Sequence, residues 1–357
     1  MVATPITRMS GTVAPASAAG PCVSLLVIIV NYRTPELTLD CLRSLSAEIP
    51  SVPGTRVIVV DNGSADGSVE RIGTVIRDRD WASWASLRPL DRNGGFACGN
   101  NRGLETGGNP RHILLLNSDT LVHPGALRHC QKVLDSDPSI GVMSCLVLNS
   151  DGTPQNVARR FPTPSRRIVA ALGLPWKLPR LFGWADLEDL TWDRWATKRD
   201  VDWLGGAFLF IRGDLVRRIG LLDEDFFFYG EDIEFCHRVW QAGYRCHYDP
   251  GASITHLGGR SSRSPGPPSE EHVAAVWRAR HLVHQKLYGH LSALACLAMD
   301  GAVLASRLAA LTCAGTSRIP KRQATARELT VLVRPSTYVR ARPMSTDARS
   351  PSSAERS

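Results

Sequence analysis

Hydrophobic positions in the first third of the chain form short runs that alternate with segments of helical periodicity. The runs cover residues 24–30, 56–60, 86–90 and 113–116. Helical spacing is found between and after them, at 35–45, 101–105 and 124–134. A continuously apolar, β-branched run such as 24–30 is typical of a strand buried on both faces of a parallel sheet. The alternation therefore predicts right-handed β-α-β units and an α/β fold, with a mainly parallel sheet covered by helices on both faces.

Polar side chains stand where the predicted strands end. They are Asn31, Asp61, Asn93 and the segment 117–119. In a parallel sheet every strand-to-helix loop emerges at the same edge, so these four loops are expected to converge. Open α/β sheets bind ligands at that edge, and the sequence therefore predicts a ligand site there.

The pattern changes after residue 148. The segment 149–202 is rich in Pro and Trp and is interpreted as a variable insertion with short helices. Regular pattern returns as strands at 201–211 and 244–248, and as helices at 213–219, 233–242 and 270–288. The apolar segment 291–313 is long enough to span a bilayer, but Asp300 and Arg307 are costly there. We expect it to lie in the membrane interface or to pack on the domain.

Asp119 is the first candidate for chemistry, because it directly follows a predicted buried strand at the ligand edge. A hard divalent cation prefers oxygen ligands at such a position. An Asp after a strand can equally be a turn or helix-capping residue, and both interpretations stay open.

A second candidate is the acidic segment 222–234, in which six carboxylates surround three Phe and a Tyr. Its first acids, at 223–225, fit a solvated turn. Glu231 and Asp232 instead open a helix, whose N-terminus stabilises negative charge while the aromatic residues restrict water. That setting suits a general base, and capping of the helix by Asp232 is the structural alternative.

Other motifs narrow the class of protein. His256 follows a strand-like run and precedes two glycines, which would let another chain or a diphosphate approach closely. The glycine-rich segment 93–103 fits a dinucleotide fingerprint poorly, because it follows the third strand and lacks the acidic residue at the end of the next. Neither a Walker A lysine motif nor G-x-S-x-G occurs, which disfavours a P-loop ATPase and an α/β-hydrolase.

Charge and cysteine content add two predictions, one about the C-terminal segment and one about the cellular compartment. Of the formal net charge of +8, the segment 318–357 carries +6, so a basic and disordered tail is predicted there. Nine widely spaced cysteines fit reduced thiols in a cytoplasmic protein. Residues 1–22 lack the apolar core of a signal peptide and are interpreted as a disordered extension.

Several pieces of the sequence, in order, resemble one known family, the family 2 glycosyltransferases of the GT-A fold and especially their bacterial rhamnosyltransferase-like branch. The pieces are 30–32, 60–64, 66–68, 93–97, 99–101, Gly103, 116–119, 205–207, 223–224, 226–227, 231–232, 242–244 and His256. The resemblance covers about residues 23–262 and implies a GT-A domain, assigned to residues 23–265, which includes the insertion 149–202. The pattern of the following residues predicts a helical, membrane-associated region at 266–317.

The resemblance also implies roles for individual residues. Asp61 and Asn62 match positions that contact the base and ribose of the donor, although many relatives have two Asp there. Asn31, Asn93 and Asn117 are expected to join them as donor nucleotide-binding residues. The segment 117–119 stands at the family's D-x-D motif but keeps only its last Asp, so Asp119 would hold Mg²⁺ or Mn²⁺ with His256.

On the acceptor side, Glu231 and Asp232 match the catalytic pair, with Asp232 as the base. Gly205, Gly206 and Ala207 would line the acceptor site. The implied enzyme transfers a sugar with inversion from a nucleotide diphosphate donor, with dTDP-rhamnose favoured, to a glycan or lipid-linked acceptor in cell-envelope polysaccharide synthesis. Three alternatives remain: a UDP-sugar transferase such as a galactofuranosyltransferase, a non-catalytic nucleotide-sugar or glycan binding module, and a nucleic-acid-binding protein.

Nucleic-acid binding is disfavoured, since the chain outside the basic segment carries only +2 and no reading motif is recognisable. An apolar helix followed by a basic segment instead suits peripheral contact with an anionic membrane at the inner, cytoplasmic face of the cell membrane. A solvated tail behind an ordinary core helix is the alternative.

Overall fold

The computed structural model describes residues 23–189, 192–258, 269–313 and 319–338. Its strands are β1 (Leu25–Asn31), β2 (Thr55–Asp61), β3 (Ala85–Pro89), β4 (His112–Asn117), β5 (Thr120–Val122), β6 (Ile140–Leu148), β7 (Ala158–Arg159), β8 (Arg199–Val201), β9 (Trp203–Leu204), β10 (Phe208–Arg212) and β11 (Arg245–His256). Its helices are α1 (Pro35–Glu48), α2 (Ser68–Asp78), α3 (Phe96–Thr106), α4 (Ala126–Ser136), α5 (Pro164–Ala171), α6 (Leu174–Lys177), α7 (Pro179–Phe182), α8 (Gly213–Ile219), α9 (Glu231–Gln241), α10 (Glu270–Tyr288), α11 (His290–Cys313) and α12 (Ile319–Val333).

The first four long strands form the parallel half of the main sheet, in the order β3-β2-β1-β4. Consecutive residues of β1 from Leu25 to Ile29 are fully buried, so both faces of the sheet are covered, as the apolar run predicts. The register places Asn31 opposite Asp61 and Val30 opposite Asn117. The polar strand ends therefore meet at one edge, and the predicted α/β fold is confirmed.

The other half of the sheet is mixed. β10 lies antiparallel between β4 and β6, and β11 pairs in parallel with β6. Sequence reasoning assigned no element to residues 140–148 and treated the strand 244–248 and the strand-like run before His256 as separate. In the structure β11 continues to His256 because the pairing with β6 shifts between Asp249 and Ser253, where a bulge absorbs the extra residues.

Residues 149–202 contain the short helices α5, α6 and α7, and their interpretation as a variable insertion stays a prediction. A two-stranded antiparallel sheet of β7 and β9 joins this segment to the chain that follows it.

Three helices, α10 to α12, follow the sheet and share a small apolar core. Trp277 from α10, Leu304 from α11, and Val331 and Leu332 from α12 are buried together. The prediction of a disordered tail from residue 318 is therefore wrong for 319–333, because these apolar positions of α12 find a partner surface on the two preceding helices. The predictions for residues 1–22 and 339–357, and the domain boundary at 265, lie outside the described residues.

Candidate active site

Asn31 and Asp61 form the base of the strand-end network. The Asn31 side-chain amide donates to the Asp61 carboxylate at 2.6 Å, and the Ser64 hydroxyl and amide donate to the same carboxylate at 2.7 and 3.0 Å. The Thr38 hydroxyl donates to the Asn31 side-chain oxygen at 2.8 Å. Both side chains are buried, so they fix the loops that follow β1 and β2. A direct contact of either with the donor stays a prediction.

The next loop is joined to this network through Asn62 and Asn93. The Asn62 amide donates to the side-chain oxygen of Asn93 at 2.9 Å and to the Gly95 carbonyl at 3.0 Å, and its own oxygen accepts from the Gly94 amide at 3.1 Å. Gly95 has φ 89°, and a Cβ there would overlap the Phe227 carbonyl oxygen, which accepts from the Phe96 amide. Glycine is therefore required for the loop to reach the segment before α9.

These loops surround a cavity of about 330 Å³ at the carboxyl ends of the strands. Its lining residues are Val30, Tyr32, Asn62, Asn93, Gly95, Phe96, Asn117, Ser118, Asp119, Phe227, Phe228, His272 and Ala275. The predicted convergence is confirmed for Asn62, Asn93, Asn117 and Asp119, whereas Asn31 and Asp61 support the cavity from behind. α10 supplies its far wall through His272 and Ala275.

Asp119 and His256 come together beside this cavity, as predicted from sequence. The Nε2 atom of His256 lies 3.2 Å from Asp119 Oδ1 and 3.3 Å from the side-chain nitrogen of Asn117. Asp119 Oδ2 is buried and has no hydrogen-bond partner among the described residues. The antiparallel pairing of β5 with the end of β11 brings His256 to this position, because His256 pairs with Thr120.

Gln155 is a residue that sequence reasoning missed. Its amide nitrogen donates to the Asn149 side-chain oxygen at 2.9 Å and to the His256 carbonyl at 2.8 Å, which leaves its oxygen to accept from His256 Nδ1 at 2.8 Å. The proton of a neutral His256 therefore lies on Nδ1, and the Nε2 lone pair faces Asp119. No motif marks Gln155, since it lies in the irregular segment 149–202 and meets His256 only through tertiary structure.

Glu231 and Asp232 occupy the first turn of α9, after Gly230 with φ 90°. Asp232 is half-buried, and its two carboxylate oxygens accept from the Ile233 amide at 2.9 Å and from the Gly206 amide at 3.1 Å. Burial raises the pKa of Asp232, while these amides and the positive charge of Arg159 act against the rise.

Burial also raises the pKa of Glu231, and the negative charge of Asp232 raises it further. The Oε2 atom of Glu231 has no hydrogen-bond partner among the described residues. Burial of both groups and their mutual repulsion thus favour a protonated carboxyl group in this pair. Gly230, not Asp232, is the cap residue of α9, which disfavours the capping alternative.

The segment 205–207 links the two halves of the site. The Gly206 amide donates to Asp232, and the Ala207 carbonyl accepts from the Asn117 amide at 3.1 Å. A Cβ at Gly206 would lie 3.8 Å from the Asp232 carboxylate, which is ordinary contact, so this glycine leaves open space beside that carboxylate.

Asp223 and Asp225 have a structural role that sequence reasoning did not assign. Both pair with Lys286 of α10, at 2.8 and 2.7 Å. Their segment is therefore more than a solvated turn, because it ties α10 to the loop before Glu231 and Asp232.

Residues 21–274 match the family model described as "Glycosyltransferase like family 2". The chain belongs to this family. It is therefore a member of a glycosyltransferase family, and of its predicted site residues Asn62, Asn93, Asn117 and Asp119 line the 330 Å³ cavity.

Three curated relatives of this glycosyltransferase are similar in sequence. The hexosyltransferase Agl10 of low-salt glycan biosynthesis in Haloferax volcanii is 29% identical over 60% of this chain and 61% of its own length. N-acetylglucosaminyl-diphospho-decaprenol L-rhamnosyltransferase of Mycobacterium tuberculosis is 26% identical over 67% of this chain and 76% of its own. Rhamnosyltransferase WbbL of Escherichia coli is 29% identical over 43% and 54%, so the match to Agl10 and to WbbL spans less than two thirds of each.

Among solved structures, the crystal structure of GalNAc-T7 with UDP, GalNAc and Mn²⁺ is similar in fold. It superposes with a TM-score of 0.50 at 15% identity, covering 74% of this chain and 50% of that one. This likeness supports the GT-A fold of the family 2 chain.

Proposed function

We propose that this glycosyltransferase inverts the configuration of the transferred sugar, with Asp232 as the general base. The observation that carries the proposal is the placement of the Asp232 carboxylate. The carboxylate accepts from the Gly206 amide, and the carbonyl of the next residue, Ala207, accepts from the Asn117 amide. Asn117 lines the 330 Å³ cavity at the strand ends, which we call the donor cleft.

The reaction is a single displacement. The acceptor hydroxyl oxygen forms a bond to the anomeric carbon as the bond from that carbon to the diphosphate oxygen breaks, and Asp232 takes the hydroxyl proton. A raised pKa brings the proton affinity of this carboxylate closer to that of an activated hydroxyl, which favours transfer. Burial and the Asp232 charge raise the pKa of Glu231, so a protonated Glu231 would keep a second negative charge from this pair.

The donor set of the site fits a divalent cation. His256 Nε2 lies 3.2 Å from Asp119 Oδ1, so an imidazole nitrogen and a carboxylate that would hold a divalent cation stand side by side. The orphaned Asp119 Oδ2 adds an oxygen ligand of the type that Mg²⁺ and Mn²⁺ accept. A bound cation would neutralise charge on the diphosphate leaving group.

For the donor, dTDP-rhamnose is favoured because two of the curated relatives are named rhamnosyltransferases. A UDP-sugar, galactofuranose among them, is the second candidate. A non-catalytic binding module would need neither an unpartnered Asp119 oxygen nor a buried carboxylate of raised pKa, and both are present.

A donor panel tests this proposal. Thermal stability and donor hydrolysis are measured with dTDP- and UDP-sugars, with and without Mn²⁺. We expect the largest metal-dependent stabilisation with dTDP-rhamnose, and a larger response to a UDP-sugar would shift the donor assignment. The absence of a metal-dependent response to every donor would contradict the proposed function.

The acceptor proposed is lipid-linked, reached by peripheral contact with an anionic membrane. Among the described residues, α11 is the one helix long and apolar enough to cross a bilayer, and most of its surface is exposed, with Leu291 at 85% and Leu294 at 57%. Exposed apolar side chains also cluster on and between α5, α6 and α7: Ile168, Leu172, Trp176, Leu178, Leu181 and Trp184. Asp300 of α11 pairs with Arg167 of α5, so the two sets are joined.

Vesicle sedimentation tests the membrane contact. Replacing Leu291 and Leu294 together by Glu should reduce co-sedimentation with phosphatidylglycerol vesicles, since apolar area and anionic attraction both drive interfacial binding. The same paired change at the exposed charged positions Arg43 and Asp40 of α1 provides a control for exposed helix surface. Equal sedimentation of wild type and the Leu291→Glu/Leu294→Glu variant would contradict the proposal.

A further inference from the structure

A second cavity, of about 230 Å³, lies on the other side of the catalytic pair. Its walls come from four parts of the chain: the segment 159–188, Trp203 of β9, residues 229–233 around the start of α9, and the middle of α10. The positive charge of Arg159, which lines this cavity, acts on the Asp232 carboxylate. A ligand bound at Arg159 would therefore lie near the proposed base.

The cavity is rich in arginine. Arg159, Arg160, Arg167 and Arg280 line it, against one carboxylate, Glu188. Glu188 lies 3.4 Å from Arg159, while Arg160 and Arg167 pair with Asp189 and Asp300, at 2.7 and 2.6 Å.

Arg280 differs from the other three. Its guanidinium stacks on the Trp277 ring, 4.8 Å from the centroid, and in the described part of the chain no carboxylate forms an ion pair with it. Burial and the positive charge of Arg167 lower the pKa of Arg280, while the negative charges of Asp300 and Glu328 act against this shift without pairing directly with its guanidinium. An anionic ligand would supply a directly paired negative charge.

His284 is a second, independent pointer to a ligand. It lines the cavity, is 2% exposed, and its Nε2 atom has no hydrogen-bond partner among the described residues. Burial, with Arg167 and Arg280, lowers its pKa to about 4, so the ring is neutral at pH 7. Burial raises the pKa of the Cys296 thiol, 3.4 Å from His284 Nδ1. That thiol can donate to Nδ1, which leaves an unused Nε2–H donor at the cavity.

We infer that this cavity binds the diphosphate group of a lipid-linked acceptor, through Arg280, Arg159 and His284. The inference rests on the proposed function and deepens it. Guanidinium groups bind phosphate oxygens in a bidentate manner, and Val276, Ala279 and Val283 supply an apolar wall beside them. The Arg167–Asp300 pair continues from the cavity to α11, whose exposed apolar side chains suit the lipid chain of the same molecule.

Farnesyl diphosphate is the probe, because it joins a diphosphate to a short isoprenoid chain. It is titrated into the full-length protein by calorimetry in EDTA, so that metal-assisted binding in the donor cleft is suppressed. Arg280→Ala should weaken binding about tenfold or more, as expected for a charge-assisted hydrogen bond, and Arg280→Lys should restore part of it. Arg128→Ala, at an exposed arginine of α4 that lines neither cavity, should leave binding unchanged.

Three further arms identify the ligand and the site. Farnesol, which lacks the diphosphate, should bind wild type and Arg280→Ala equally weakly. Displacement of farnesyl diphosphate by UDP or dTDP would place the probe in the donor cleft and overturn the inference. Loss of binding to phosphatidylglycerol vesicles in Arg280→Ala, without loss of farnesyl diphosphate binding, would assign the arginines to a lipid headgroup and also overturn it.

Donor measurements separate the two proposals. Metal-dependent stabilisation by the nucleotide donor should be the same in wild type and Arg280→Ala. If the donor fails to bind but farnesyl diphosphate binding depends on Arg280, the proposed function fails and the anion site remains. If the donor binds and Arg280→Ala leaves farnesyl diphosphate affinity unchanged, the inference alone fails.

Discussion

The donor cleft and the arginine-lined cavity are built in different ways, although α10 forms a wall of both. In the donor cleft, Asn62 uses its side-chain donor and acceptor atoms in bonds to the neighbouring loop. In the second cavity, Arg280 has no ion pair and His284 Nε2 has no partner among the described residues. Buried polar groups without partners are costly, so the protein itself preorganises the loops of the donor cleft, whereas a ligand would satisfy Arg280 and His284, as it would Asp119 Oδ2.

The difference follows from topology. The donor loops end neighbouring parallel strands, and the register alone brings Asn31 to Asp61. The second cavity needs residues more than 100 positions apart, such as Arg159 and Arg280, to meet through helix packing. We therefore expect the largest loss of activity from substitutions of residues that take part in the reaction. Smaller losses are expected from residues that only shape the donor cleft or the arginine-lined cavity.

Asp232→Asn should have the largest effect, because it removes the proposed base and leaves the donor cleft intact. Turnover should fall about 10²-fold or more, the usual contribution of a general base, with donor affinity nearly unchanged. Steady-state transfer and donor-induced thermal shifts measure the two quantities. Asp78→Asn, at an exposed carboxylate of α2, is the matched control and should leave both as in wild type. Wild-type turnover in Asp232→Asn would show that Asp232 is not the general base.

Gln155 provides the second test, on the donor side. Gln155→Leu removes the acceptor that holds the His256 Nδ1 proton, and loss of such an outer partner typically costs about 10- to 100-fold in metal affinity. Gln155→Glu keeps an acceptor and should retain most of that affinity. The readout is the Mn²⁺ concentration needed for half-maximal donor binding. Identical Mn²⁺ dependence in wild type and Gln155→Leu would show that His256 does not depend on this partner.

The contrast also explains what could be predicted from sequence. Apolar runs identify β1, β2 and β4, and parallel topology then forces Asn62, Asn93 and Asp119 to one edge, so the donor side could be predicted. Asp232 was identified through a local signal, a carboxylate at a helix start after aromatic residues. Gln155, Arg280 and His284 carry no local signal, because their partners are distant in sequence.

Two errors have a similar origin. β6 is an almost fully buried apolar strand that was not predicted from sequence. No polar motif or repeat accompanies it, and its partners β10 and β11 are distant in sequence. The composition of 318–357 indicated disorder, whereas α12 is ordered by a few apolar side chains, Val331 and Leu332 among them. Average composition cannot detect such a short apolar face.

Gly95→Ala tests the contact between the loop before α3 and the segment before α9, where the Phe96 amide donates to the Phe227 carbonyl. Its φ of 89° and the overlap of a Cβ with that carbonyl oxygen should cost about 1–3 kcal/mol of unfolding free energy, and donor affinity should fall with it. Gly67→Ala separates these causes, because φ there is 85° but nothing lies within 4 Å of a Cβ. Denaturant unfolding should show the larger loss for Gly95→Ala. Equal losses would mean that the contact with Phe227 contributes little.

Glu231→Gln should show its effect as a pH dependence of stability. Burial and the Asp232 charge raise the pKa of Glu231, so the unfolded chain releases this proton at lower pH than the folded protein does. The stability that this group contributes is full below its unfolded pKa, near 4.3, and is lost as pH rises through the raised folded value. Gln has no proton to lose, so the stability of the variant relative to wild type should increase from about pH 4.5 upward, by about 1.4 kcal/mol per unit of pKa shift. Glu70→Gln, at an exposed carboxylate of α2, controls for the general effect of losing a charge. A difference that stays flat across this pH range would show that Glu231 is already ionised, and that the catalytic pair carries two charges rather than one.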